Sequence, residues 1–136
     1  MTFYQQEVLR INRELYPREY LTKQVIVAKQ YIDLNFAEDI SLDNLAARAF
    51  MSKFYFSRYF KSMYGSTPHQ YLTSVRMENA RKQLRSGKPI TEVCISVGFN
   101  SFTSFTALFK KNTGVTPSTF KNNFIKKQFP RGTMSR

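Results

Sequence analysis

At residues 65–71 the chain has the sequence GSTPHQY, and at residues 114–120 it has GVTPSTF. Both stretches follow the pattern Gly-x-Thr-Pro-x-x-aromatic, 49 positions apart. Each has the chemistry of a junction between helices, because glycine readily takes the left-handed conformation that ends one helix, while threonine caps the next and proline fits its first turn. The recurrence predicts that one helical unit occurs twice in the chain.

The residues before each glycine repeat as well. SKFYFSRYFKSMYG at 52–65 aligns with SFTSFTALFKKNTG at 101–114, and LDNLAARAFMS at 42–52 aligns with ITEVCISVGFN at 90–100 when the shift is 48. One residue is therefore inserted in the turn of the second copy. In each copy a short helix with apolar positions at i, i+3, i+4 and i+7 precedes a second amphipathic helix, which is the helix-turn-helix pattern.

Two longer helices are predicted around these motifs. An amphipathic helix covers LTKQVIVAKQYIDLNF at 21–36, and a second helix at 67–85 links the two motifs, between a Thr67 cap and a stop at Ser86-Gly87. We therefore expect an all-α fold of two helix-turn-helix subdomains joined by a long linking helix, with an N-terminal helical extension. The predicted segments are 1–20 (extension or linker), 21–66 (first subdomain), 67–86 (linking helix), 87–125 (second subdomain) and 126–136 (basic C-terminal tail).

The charge of the chain is strongly uneven. The net charge is +12, and residues 52–136 contain fifteen basic side chains against only two acidic ones, Glu78 and Glu92. A polyanionic partner is the natural inference. The chain has no apolar run as long as a membrane span and no signal-peptide pattern, and its single cysteine suits a reducing compartment, so we expect a cytoplasmic protein without a membrane partner.

Catalysis has no candidate groups in this sequence, which contains no Ser/His/Asp set, phosphate-loop glycines or paired carboxylates. Cys94 falls at a small apolar position that is alanine in the first copy, so core packing is the better interpretation of this residue. His69 has no second histidine or cysteine beside it with which to form a metal site. We therefore expect no enzyme, no cofactor, no metal and no small-molecule ligand within this chain.

The pattern resembles the DNA-binding domain of the AraC/XylS family of bacterial transcription regulators, over about residues 22–125. The most specific part is ITEVCISVGFNSFTSFTALFKKNTGVTPSTF at 90–120, which is similar to the family's signature. The resemblance implies about seven helices, sequence-specific binding to double-stranded promoter DNA, activation of transcription, contact with RNA polymerase and association with the nucleoid. One departure is Phe50, which stands where the family usually has glycine and could strain the first turn by about 1 kcal/mol unless that turn is rebuilt.

The second helix of each motif is predicted to present one face to DNA. In the first copy Phe56 and Phe60 mark the buried face, and the positions opposite coincide with those that read bases in the family. Arg58 has the geometry to donate two hydrogen bonds to guanine, whereas Phe54 and Tyr55 offer apolar contact to thymine methyl groups or sugars. The alternatives are a Phe54 ring folded against the subdomain and an Arg58 paired with phosphate. The base-reading candidates are Phe54, Ser57, Arg58, Thr103, Ser104, Thr106 and Ala107.

A second set of residues is predicted to hold phosphates, which fixes register without reading sequence. These candidates are Lys53, Lys61, Lys110, Lys111, Arg81 and Lys82. For the basic residues of the linking helix and just after it, a solvated face is an equal alternative. That series consists of Arg76, Arg81, Lys82, Arg85 and Lys88.

The sequence leaves alternatives open for the role of the N-terminal extension and for the function of the chain. Apolar residues at 4, 8, 11 and 15 predict a helix that packs on the domain, forms a dimer, or once joined a sensor domain. The chain is then either a single-domain regulator controlled by its abundance or a DNA-binding fragment of a longer effector-sensing regulator. A non-specific architectural or RNA-binding protein and a module for an acidic protein partner are the other classes.

Overall fold

A computed structural model describes residues 2–15 and 18–128 of the chain. Over these residues it is entirely helical, with eight α-helices and no strand. The predicted all-α class, with two helix-turn-helix motifs, a linking helix and an N-terminal helix, is confirmed. The helices are α1 (Phe3–Leu15), α2 (Arg18–Asn35), α3 (Leu42–Arg48), α4 (Lys53–Tyr64), α5 (Pro68–Arg85), α6 (Ile90–Ser96), α7 (Phe102–Thr113) and α8 (Pro117–Gln128).

Serine side chains begin three of the four helices in the two motifs. Ser41 Oγ accepts a hydrogen bond from the Asn44 amide at 3.1 Å at the start of α3. Ser52 starts α4 and Ser101 starts α7, and each accepts from the amide three residues later at 3.2 Å. A cap of this kind accepts a hydrogen bond from a backbone amide that has no acceptor within the helix, and it stabilises the helix by about 1 kcal/mol. The corresponding position before α6 is Pro89, which makes no side-chain cap.

The two predicted junctions are confirmed. Gly65 ends α4 with φ 79°, and Gly114 ends α7 with φ 90°, both in the left-handed region. Thr67 Oγ1 then accepts from the Gln70 amide at 3.2 Å, while the Gln70 side chain accepts from the Thr67 amide at 3.0 Å. Thr116 Oγ1 accepts from the Thr119 amide at 3.2 Å in the second copy. Each junction therefore closes one helix and opens the next within three residues.

The chain divides into two compact units, and the boundary between Thr73 and Ser74 lies inside α5. In unit 1, α1 and α2 pack against α4, and α3 packs beside it. The core of unit 1 is formed by one stripe of α2, the inner faces of α3 and α4, and the first turns of α5. Its buried residues include Leu21, Val25, Ala28, Ile32, Leu45, Ala46, Ala49, Phe56, Phe60 and Leu72.

Unit 2 repeats this plan with α6 and α7 as its motif. The Phe105 ring lies between two others, with ring centroids 5.5 Å from Phe99 and 5.8 Å from Phe109. The Phe120 ring of α8 packs edge-on against Phe109 at 5.5 Å. Other buried residues of unit 2 are Met77, Ala80 and Leu84 of α5, Val93 and Cys94 of α6, Val97 just after α6, and Pro117 at the start of α8.

Helices α1 and α8 lie at the two ends of the described part of the chain. In α1, Tyr4 is exposed and Val8 is half-buried, while Pro17 and the side chains of Ile11 and Leu15 lie outside the described residues. Helix α8 continues to Gln128, so the first part of the predicted tail is helical, and 129–136 lie outside the described residues. The segment boundaries predicted from the sequence stay predictions. No helix in the described ranges has the length and apolar character that crossing a membrane requires.

Phe50 keeps the backbone that glycine adopts in the second motif. Its φ is 57°, and Gly98, at the matching position, has φ 104°. The turn is not rebuilt, because the Met51 amide donates to Ala46 O at 3.0 Å just as the Phe99 amide donates to Cys94 O at 3.0 Å. The left-handed region is costly for a residue with a Cβ, and the Phe50 ring is 65% exposed, so little burial offsets the strain.

We expect Phe50→Gly to raise the free energy of unfolding by up to about 1 kcal/mol, since relief of strain outweighs the extra entropy of glycine in the unfolded chain. Urea denaturation followed by circular dichroism measures it. Gly98→Ala is the matched control and should lower stability by about 1 kcal/mol. A loss of stability in Phe50→Gly would mean that the exposed ring makes stabilising contacts.

A polar cluster joins α2 to α5 within unit 1. Lys29 Nζ donates to Asp33 Oδ2 at 3.0 Å, and the Tyr71 hydroxyl donates to Asp33 Oδ1. Lys29 Nζ also lies 5.3 Å from the centroid of the Tyr71 ring and 5.7 Å from that of Tyr64. The hydrogen bond to Asp33 raises the pKa of Lys29 to about 12, and burial together with the bond to Asp33 raises the pKa of Tyr71.

Both raised pKa values mean that the folded state favours the protonated forms of Lys29 and Tyr71. The two groups therefore stabilise the folded protein at neutral pH, and this contribution is lost at alkaline pH. We expect Tyr71→Phe to lower the free energy of unfolding by about 1–2 kcal/mol at neutral pH, because it removes a hydrogen bond to a carboxylate. The difference from the wild type should shrink above about pH 10, where the phenol and then the ammonium lose their protons. Urea denaturation of both proteins across this range checks it; a constant difference contradicts it.

Candidate nucleic-acid interface

Helices α4 and α7 are held in matching orientations within their own units. In each, a serine cap fixes the first turn, a left-handed glycine fixes the end, and two phenylalanines four residues apart face the core. Phe56 and Phe60 are fully buried in α4, as are Phe105 and Phe109 in α7. Because an α-helix turns about 100° per residue, these anchors determine which side chains point away from each core.

The outward side of α4 contains the predicted base-reading residues. Arg58 and Lys61 are exposed, Phe54 is 37% exposed, and Ser57 is half-buried. Arg58 therefore has the access that bidentate contact with a guanine needs. With 37% of the residue exposed, Phe54 keeps apolar surface for contact with a thymine methyl group.

The prediction that Tyr55 contacts thymine or sugar is wrong. Only 7% of Tyr55 is exposed, and its ring stacks on Tyr59 with centroids 5.9 Å apart. Tyr59 is itself tied to α2, through a 2.7 Å hydrogen bond between its hydroxyl and that of Thr22. Tyr55 is thus packed inside unit 1 rather than presented to solvent, and Tyr59 beside it is half-buried. Ser104, the counterpart of Tyr55 in α7, is exposed.

The outward side of α7 is smaller and less polar than that of α4. Thr103, Ser104 and Ala107 are exposed, whereas Thr106 is half-buried. Its hydroxyl oxygen Oγ1 is fully buried and has no hydrogen-bond partner among the described residues. Thr106 would need a rotation about its Cα–Cβ bond to offer this hydroxyl to a base. The set can contact methyl groups and read shape, but it contains no long hydrogen-bond donor.

The structure separates the six phosphate candidates into three kinds. Lys61, Lys82, Lys110 and Lys111 are exposed. Lys53 Nζ lies 3.8 Å from an Asp43 carboxylate oxygen, a loose surface ion pair that phosphate could displace. Arg81 is engaged more firmly.

Arg81 donates to Glu78 at 2.8 Å and to Asn112 Oδ1 at 2.9 Å. The hydrogen bond from Arg81 lowers the pKa of Glu78. Because these contacts join α5 to the end of α7, Arg81 helps to hold the outward helix of unit 2 in place.

Two other basic residues of α5 have a role that the sequence did not indicate. The guanidinium of Arg76 lies 5.5 Å from the centroid of Phe99, and that of Arg85 lies 5.6 Å from Phe120. A cation over an aromatic face gains about 0.5–1 kcal/mol at exposed sites. The i, i+9 spacing of the two arginines contains no signal for this, because the rings come from distant parts of the chain.

Cys94 and His69 occupy the environments that the sequence indicated. Cys94 is buried, and desolvation raises the pKa of its thiol. His69 is exposed in the first turn of α5. Among the described residues, no three His, Cys, Asp or Glu side chains are grouped as they would be to hold a metal ion.

Comparison with known proteins agrees with this geometry. A family model described as a helix-turn-helix domain matches residues 45–123. The transposon Tn10 TetD protein of Escherichia coli is 33% identical over 121 residues, which cover 88% of each chain. The bifunctional transcriptional activator/DNA repair enzyme AdaA of Bacillus subtilis is 39% identical over 93 residues, covering 68% of this chain and 44% of AdaA.

A solved structure resembles the chain over most of its length. It is the DNA-binding domain of the global transcriptional factor AdpA in complex with a target DNA, with a TM-score of 0.67 and 29% identity, covering 82% of this chain and 97% of that one. The chain belongs to the AraC/XylS family of helix-turn-helix proteins. It spans about half the length of several curated relatives that it matches, such as AdaA.

Arg58 generates a sharp prediction. Arg58→Ala should cost about 1–3 kcal/mol of binding free energy at the preferred site and relax one position, a G·C pair, because the bidentate donor is lost. Binding to a panel of single-base variants of the site, measured by fluorescence anisotropy, shows whether the loss is confined to one position. Ala107→Arg, at the matching position of α7, should add affinity for sites with guanine in the second half.

Lys61→Ala is the matched control on the same helix. As a phosphate contact, Lys61 should affect all sites of the panel about equally. If Arg58→Ala also weakens every site by the same factor, Arg58 pairs with phosphate and does not read a base.

Proposed function

We propose that the chain is a sequence-specific DNA-binding transcription regulator that inserts α4 and α7 into successive major grooves of promoter DNA. The observation that supports this most directly is the pair of capped helices with matching outward positions, Arg58 and Lys61 in α4 and Ala107 and Lys110 in α7, all exposed. A protein that bound nucleic acid without reading its sequence would need charge but no duplicated face.

The charge distribution supports a duplex as the partner. Fifteen basic and two acidic side chains lie in residues 52–136, which include both outward helices. Neutralising phosphates with these cations releases counterions, so binding should weaken steeply as salt rises. The similarity to the AdpA domain, whose structure contains a target DNA, points the same way.

The length of α5 is compatible with two neighbouring grooves. Its 18 residues span about 27 Å at 1.5 Å per residue, and successive major-groove entries on one face of B-DNA lie about 34 Å apart. A monomer would then cover an asymmetric site of about twenty base pairs rather than a palindrome. Dimerisation through the N-terminal helix α1 stays an alternative that this arrangement does not need.

The regulatory outcome is proposed from the family. AraC/XylS regulators commonly activate transcription, with RNA polymerase as a protein partner. A protein of this kind would act in the cytoplasm, on the nucleoid. Binding rather than catalysis is proposed for this chain. AdaA is by its name also a DNA repair enzyme, but this chain spans 44% of that protein.

Selection of bound sites from a random DNA pool tests the proposal, followed by footprinting on the selected sequence. We expect one asymmetric motif, protection in two successive major grooves, and competition by target DNA at least about tenfold stronger than by random DNA. Equal competition by random DNA would favour an architectural protein, and preference for RNA would favour an RNA-binding one. An obligatory two-fold symmetric site would contradict the monomeric arrangement.

A further inference from the structure

Unit 2 has a groove that the proposed DNA interface does not use. It has a volume of about 610 Å³ and lies between the end of α5 and the outer turns of α8. Its lining consists of Arg85, Phe120, Asn123, Phe124, Lys126 and Lys127. Lys126 and Lys127 are exposed, and the two phenylalanines are half-buried. The groove therefore combines an aromatic floor with a basic rim.

The groove lies behind α7 with respect to its outward residues. Phe120 packs edge-on against Phe109, which is on the core side of α7. Thr103, Ala107 and Lys110 lie on the other side of that helix, more than 90° around its axis from Phe109, as the rotation of about 100° per residue requires. A duplex held by these outward residues would leave the groove uncovered.

The floor of the groove is an extension of the core of unit 2. Positions 120, 123, 124 and 127 share one stripe of α8, because residues three and four apart are neighbours on a helix. The Phe120 ring contacts both the core ring of Phe109 and the Arg85 guanidinium. Phe124 lies one turn further along α8 and is half-buried, so it adds a second aromatic ring beside Phe120.

The charges of the rim have no acidic partner in the lining. Within the part of the chain that the structure describes, the charged residues that line the groove are Arg85, Lys126 and Lys127. Glu78 is influenced by Arg85, but its hydrogen bond goes to Arg81. Residues 129–136 contain Arg131 and Arg136 and no acidic residue, so they offer no charge complementary to this rim.

From this chemistry we infer that the groove docks an acidic amphipathic segment of a partner protein. Carboxylates of the segment pair with Arg85, Lys126 and Lys127, and its apolar side chains cover Phe120 and Phe124. An aromatic floor distinguishes this occupant from a duplex, whose backbone offers phosphates but no apolar surface to bury. The inference adds a protein-binding surface to the proposed function and does not depend on which DNA sequence is bound.

The probe is a fluorescein-labelled helical peptide with Glu on one face and Leu on the other, titrated with the full chain in anisotropy measurements. We expect the charge reversal Lys126→Glu with Lys127→Glu to weaken peptide binding by about tenfold or more, because it removes two attractive pairs and adds repulsion. Phe124→Ser should also weaken it, with circular dichroism to check the fold. Lys110→Glu with Lys111→Glu, which changes the net charge equally, should leave peptide binding within about twofold.

Target-DNA binding of the same variants separates the two surfaces. The α8 reversal should leave DNA affinity within a few-fold, whereas the α7 reversal should reduce it by about tenfold or more. Chemical shift changes from the peptide should concentrate at residues 120–127. Equal loss of peptide binding in both reversals would show attraction by net charge alone and overturn the inference. Loss of DNA binding in the α8 reversal would overturn it in favour of a nucleic-acid contact.

Discussion

The left-handed backbone at Gly65 and Gly114 is the constraint on which the rest of each unit depends. A glycine in this conformation ends the helix and sets the direction in which the chain leaves it. The threonine cap two residues later then starts the next helix. The end of α4 and the start of α5 are thereby coupled, as are α7 and α8. With the serine cap at the other end, little freedom remains in the orientation of the outward helices within their units.

The two copies have kept this backbone but differ in what surrounds it. The first has Phe50 in a left-handed turn where the second has Gly98, and the first buries Tyr55 where the second exposes Ser104. Both differences lie beside the outward helix. Tyr55 is buried within unit 1, where α1 and α2 pack against α4, so the outward face of α4 is the side containing Arg58 and Lys61.

Local chemistry made much of the fold predictable from the sequence. Caps, left-handed glycines and apolar stripes act within a few residues, so the helices, their junctions and the anchors Phe56 and Phe105 followed from spacing alone. Burial of Tyr55 could not be predicted in this way, because it depends on elements that precede the motif. The contact of Arg81 with Asn112 joins residues 31 positions apart, so the local sequence pattern does not predict it. The buried hydroxyl of Thr106 depends on a rotamer, which a helical wheel does not specify.

Cys94 has a practical consequence for measuring the distance between the two units. It is the single cysteine of the chain, it is buried, and its raised pKa disfavours the reactive thiolate. A cysteine introduced at an exposed position can therefore be modified selectively with a maleimide dye while the native thiol stays protected. Two such positions, one in each unit, would allow energy transfer between dyes to follow the distance between the units in solution and on a duplex.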